Sequence, residues 1–147
     1  MDPINAGKVP TSYWVVTGLG LLWNSFGAYD YVMTRMRNAD YLKSAGDPQA
    51  ILAWIDSFPI WAQIGWGLGV WGSFLGSVLM VLRSRHAATA FAASLLGATV
   101  SFGYQFTHTP PAALDTTAGK VIPLVIMAVV AVLWRYCRKS AQQGLLR

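Results

Sequence analysis

Glutamate does not occur in this chain of 147 residues, and six aspartates supply all of its negative side-chain charge. Charged residues of both signs reach only 12%. An ordinary soluble domain carries about 25%. A soluble fold of this length could bury a core, but this sequence has too little charge to cover the surface. Cysteine occurs once, at Cys137. A single thiol excludes an internal disulfide and any cysteine-cluster metal site. His86 and His108 fall at opposite ends of one apolar run, so they cannot share a metal, and no metal or other cofactor is expected. No Ser-His-Asp grouping stands out, because the serines lie on helix-packing stripes. Gly65-Trp66-Gly67-Leu68-Gly69 sits inside an apolar run, where it reads as packing and not as a phosphate cradle. The chain is therefore expected not to be an enzyme.

What remains is apolar sequence, at 54% hydrophobic residues. No charge occurs between Lys8 and Asp30, between Asp56 and Arg83, between Arg85 and Asp115, or between Lys120 and Arg135. Crossing the hydrocarbon core of a bilayer takes about 20 apolar helical residues. The pattern predicts one all-α integral membrane domain over 1–147, a four-helix transmembrane bundle with spans near 12–35, 59–82, 87–106 and 117–137. The first span follows a weakly charged start (Asp2, Lys8) and is long enough to be a retained helix, not a cleaved signal. Between the first two spans, Asp47 and Pro48 suit a helix cap and first position, and Ile51, Trp54, Ile55 and Phe58 then recur at helical spacing. That segment predicts a short amphipathic helix in the membrane interface.

The positive charges give an orientation. With four spans, one side holds Lys8, Arg83, Arg85, Arg135, Arg138, Lys139 and Arg147, and the other holds Arg35, Arg37, Lys43 and Lys120. Seven against four places both termini in the cytoplasm. The net charge of +5 resides at helix ends, which points to anionic lipid at Arg83, Arg85, Arg135, Arg138 and Lys139, and not to nucleic acid. Cys137, among aromatic and basic residues, reads as a reduced thiol where the last helix leaves the membrane.

Small residues mark packing faces. Gly65, Gly69, Gly72 and Gly76 fall on one stripe of the second span, and Ala90, Ser94, Gly97 and Ser101 on one stripe of the third. Helices in lipid associate by close backbone approach, which small residues permit. The fourth span has no such stripe and should be the most lipid-exposed.

The same topology collects polar groups near the outer interface: Asp30, Gln63, Tyr104, Gln105 and His108, with Asn24 about 9 Å deeper at helical rise. A carboxylate at membrane depth is costly unless paired or wet, so Asp30 leads this candidate ligand cluster.

Leu22-Trp23-Asn24, Asp30-Tyr31-Val32-Met33-Thr34, Phe58-Pro59, Val70-Trp71-Gly72, the turn Leu82-Arg83-Ser84-Arg85-His86-Ala87 and Tyr104-Gln105 together resemble a group of small four-span proteobacterial membrane proteins. Some of that group bear an automatic sugar-transporter label. The resemblance covers nearly the whole chain, implies the four-span bundle in the inner membrane of a bacterium and assigns no site residue. Two functions follow as expectations. The first, drawn from the surplus of small-residue faces and the absence of catalytic groupings, is an accessory or structural subunit that packs against other membrane helices, in a homo-oligomer or a larger complex. The alternative is a small-solute transporter or channel, working as an oligomer around Asn24, Asp30 and Gln105.

Overall fold

A computed structural model describes residues 8–147, and among them it contains six helices and no strand. In chain order these are α1 (Thr11–Arg35), α2 (Ala39–Leu42), α3 (Pro48–Asp56), α4 (Ile60–Val81), α5 (Ala87–Phe106) and α6 (Thr117–Gln142). Their limits follow local chemistry. Pro10 and Pro59 stand immediately before α1 and α4. Asp47 accepts the Gln49 backbone N–H at 3.2 Å, with Pro48 at the first turn of α3. Thr116 accepts the Gly119 N–H at 3.0 Å and starts α6. Each such cap satisfies a backbone donor that the helix itself leaves free. The chain leaves α1 and α4 through arginines in the left-handed region, Arg37 at φ 57° and Arg83 at φ 56°.

Three helices, α4, α5 and α6, are long and apolar enough to cross a membrane. The fourth helix expected to span, α1, does not reach that hydropathy. Its 25 residues give length enough, but Thr17, Asn24, Ser25 and Asp30 interrupt its apolar sequence. At the other end of the chain, α6 does not stop near 137 but runs to Gln142. Cys137 and Ser140 are both buried, so packing holds the added turn. Cys137 is thus a core residue with no exposed thiol.

The helices form a row of antiparallel neighbours, with α4 and α5 the central pair. The glycine stripe of α4 faces α5 throughout. A β-carbon built on Gly65 would lie 2.8 Å from the Gly97 carbonyl oxygen, one on Gly72 3.0 Å from Ser94 and one on Gly76 2.9 Å from the Phe91 ring. The α5 side of this seam consists of Phe91, Ser94, Gly97 and Ala98, while Ala90 is only half-buried. On the other flank, α1 lies along α4. Tyr13 donates its hydroxyl to the Met80 carbonyl at 2.6 Å, Asn24 Nδ2 donates to Ser77 Oγ at 2.7 Å, and Arg35 donates to Gln63 Oε1 at 3.2 Å.

One end of the molecule is closed. Tyr13, Met80, Phe91, Leu133 and Cys137 form its core next to the α4–α5 turn. The last residues fold back over that turn: Arg147 N–H donates to the Arg83 carbonyl, Arg85 N–H to the Arg147 carbonyl, and Arg83 Nε to the Leu145 carbonyl. At this turn end α6 comes within reach of α1, where Leu133 meets Gly20 and Tyr136 stacks on Tyr13. Toward the other end α6 is exposed at Val121, Ile122, Leu124 and Val125. That end carries a roof made of α2, α3 and their connections.

Candidate functional site

Beneath the roof lies a cavity of about 570 Å³. It is bounded by α1, α4, α5 and α6 on its sides and by α3 above. Asn24, Asp30 and Thr34 line it from α1, Ser73 from α4, Ser94, Ser101 and Gln105 from α5, and Ile122, Ile126 and Val130 from α6. The roof contributes Ile51, Trp54, Ile55 and Phe58, the four residues that share one face by spacing. Most of the wall is apolar or aromatic, and the polar groups are few.

The polar groups are held in defined ways. Asn24 and Ser77 bond across the α1–α4 contact. Ser94 donates to the Gly69 carbonyl at 2.5 Å, crossing the α4–α5 seam. Gln105 Nε2 donates to Ser101 Oγ at 3.2 Å, one helical turn away. Asp30 Oδ1 accepts the Tyr41 hydroxyl at 2.6 Å, and this bond ties the roof to α1. Burial, and then the adjoining Asp30 carboxylate, push the Tyr41 phenol up to about 12.

The six polar candidates therefore divide into two groups. Asn24, Asp30 and Gln105 share the cavity. Gln63, Tyr104 and His108 do not line it. Gln63 donates to the Phe58 carbonyl and accepts from Arg35. Tyr104 donates to the Ser57 carbonyl at 3.3 Å and stacks on His108 with ring centroids 4.0 Å apart. The basic candidates divide as well. Arg135, Arg138 and Lys139 line a shallow depression at the turn end, with Arg138 above the Trp134 ring. Arg83 is spent on the tail carbonyl, and Arg85 is exposed. Ile51, Trp54, Phe102, Ile122 and Ile126 were not expected at a site. The face of α3 was visible in the spacing of its apolar residues, but the α6 wall had no signal, since that helix is apolar on every side. Among the described residues, no group of three or more metal-binding side chains occurs.

A second tie fastens the roof. Arg37 and Asp56 form a two-pronged ion pair with both N–O distances at 2.9 Å. The Arg37 guanidinium, mainly through its hydrogen bonds, holds the Asp56 carboxyl below its ordinary range. A carboxylate with a lowered folded-state pKa stabilises the fold above the unfolded pKa and loses that contribution as pH falls through the folded value. The roof should accordingly loosen only on the acid side, below about pH 4. Fluorescence of Trp54 followed against pH should report the change, and Asp56→Asn should show the loosened signal at neutral pH with no acid transition. An unchanged transition in that variant would remove the tie from the explanation. Because the pair is solvent-exposed, its effect on whole-protein stability is small.

No protein-family model matches the chain, and no curated protein or solved structure matches it either.

Proposed function

We propose that this chain is a four-span inner-membrane protein that binds a small molecule inside its own bundle, as a transporter or carrier would. One observation carries the reading: Asn24, Asp30 and Gln105, from two helices, line a common cavity of about 570 Å³. Small-molecule sites usually enclose about 300–1,000 Å³, mostly apolar, with a few convergent polar groups. The cavity lies within one chain, so a binding site does not require an oligomer. The core at the turn end stops it from running through, which favours a carrier over an open channel.

The fourth span in this reading is α1. At about 1.5 Å per residue its 25 residues reach about 37 Å, more than the roughly 30 Å hydrocarbon core. Mean hydropathy understates it, because its buried polar residues Thr17, Asn24 and Thr34 turn inward. Val15, Leu19, Leu22 and Phe26 face outward. Charge counting puts the turn end and both termini in the cytoplasm, and puts the roof, with α3 as an interfacial amphipathic helix, on the outer side. The resemblance to four-span proteobacterial proteins agrees, but a sugar fits poorly because it would need more polar contacts than this wall offers.

The accessory-subunit reading rested on small-residue faces left over for partner helices. The α4 stripe meets α5 within the chain, at Ser94 and Gly97 of the α5 stripe among others, which leaves that reading with weaker support. Purification in mild detergent followed by native mass spectrometry separates the two. We expect the chain's mass with a small molecule retained, and loss of that molecule in Ile126→Trp, which fills the cavity. A bare chain in a stoichiometric complex with a larger host would favour the accessory role and sink the binding reading.

A further inference from the structure

The cavity's chemistry says more about its ligand, on the footing that the cavity binds one. Asp30 is its only charged lining residue. The ion pairs among the described residues are Arg37–Asp56, Lys43–Asp40 and Lys120–Asp115, and Asp30 belongs to none of them. Among the described residues its one side-chain partner is the neutral Tyr41 hydroxyl on Oδ1, which leaves Oδ2 unpaired among them. Arg35, the nearest cation along α1, donates to Gln63 on the α4 side, and Arg37 is turned to Asp56. Asp30 is itself exposed, so Oδ2 is open to a cation that enters the cavity.

The walls are suited to what could accompany that cation. Trp23, Trp54, Trp66 and Phe58 line the same cavity as the carboxylate. Aromatic faces attract organic cations through the ring quadrupole, most strongly when water is excluded. The side between α1 and α6 is formed by partly exposed residues, Trp23 and Phe26 against Ile122. Among the described residues nothing covers them fully. That flank faces hydrocarbon when the bundle spans a membrane, so a ligand reaching the cavity this way must itself dissolve in lipid.

From this geometry we infer that the cavity binds a lipophilic organic cation, with its charge at Asp30 and its apolar body among the tryptophans. A hydrated inorganic cation does not suit walls that offer so few oxygen ligands. An anionic or zwitterionic amphiphile would set its own negative charge against Asp30.

The test uses the full chain in mild detergent and two probes of similar size, tetraphenylphosphonium and the neutral triphenylphosphine oxide. Binding is read by quenching of tryptophan fluorescence. We expect tetraphenylphosphonium to bind more tightly. Asp30→Asn should weaken it about fivefold, the upper end for one exposed ion pair, and should leave binding of the neutral probe unchanged. Thermal melting of Asp30→Asn shows whether the fold is kept. Should that variant unfold, Tyr41→Phe, which keeps the carboxylate, must retain the preference for the cation. Equal binding of both probes, indifferent to Asp30→Asn, would overturn the cation inference and leave a neutral ligand in the cavity. Binding of neither probe, unchanged by Ile126→Trp, would overturn the inference and count against the cavity as a binding site.

Discussion

Gly97→Leu is expected to abolish the folded state in mild detergent, whereas Gly103→Leu on the same helix should leave the melting temperature nearly unchanged. A β-carbon at 97 would lie 2.6 Å from the Gly65 carbonyl oxygen and 2.7 Å from the Gly69 nitrogen, while one at 103 meets nothing within 4 Å. The obstacles at 97 are backbone atoms of a helix that cannot turn aside as a side chain would. Overpacking a core typically costs about 1–3 kcal/mol and occasionally more. Here the whole α4–α5 contact must separate, so the cost should lie at or above the top of that range. Between helices in lipid little hydrophobic drive is left to hold them once close packing is lost. Thermal unfolding of the two variants side by side checks the expectation, and similar melting would remove the seam as the chief source of stability.

Tyr13→Ala should have the second largest effect, about 3–5 kcal/mol, the usual cost of deleting a fully buried aromatic ring. Tyr13 is 0% exposed and joins three helices. Its hydroxyl reaches the Met80 carbonyl on α4, its ring stacks on Tyr136 of α6, and it belongs to α1. Tyr13→Phe keeps the ring and forfeits only the hydrogen bond, so it should lose about 0.5–1.5 kcal/mol. Chemical denaturation in mixed micelles would measure both. If the two substitutions cost the same, the hydroxyl and not the packing would hold the turn end together.

The helices themselves were legible from a few residues. Pro10, Pro59, the Asp47-Pro48 pair and Pro110-Pro111 punctuate the chain close to where its helices begin and end. The glycine period of α4 was visible too, as was the apolar face of α3. The division of the polar cluster was not, because it depends on rotation about a helix and not on depth. Successive residues on a helix point about 100° apart, so Tyr104 and Gln105 cannot serve the same neighbour. Gln105 shares its face with Ser101, one turn back, and turns to the cavity. Tyr104 shares the neighbouring face with His108 and stacks there. Depth put these residues in one group, and azimuth separated them. The length of α6 was missed for a related reason: its last turn is held by buried Cys137 and Ser140, contacts with no periodic signature in a run of basic residues.

The two arginines in left-handed conformation show how this chain trades local comfort for long-range ties. Glycine is the usual occupant where a helix ends in that region, since any other side chain strains the backbone there by about 1–2 kcal/mol. Arg37 reaches from its strained position to Asp56, and Arg83 to the Leu145 carbonyl. Glycine would relax either helix end and supply no arm. Replacing them with glycine would thus act with opposite sign at two scales: the isolated helix hairpins would become easier to form, while the roof and the tail would come adrift from them. In this protein the strained residues are latches, and a sequence optimised for its helices alone would discard them.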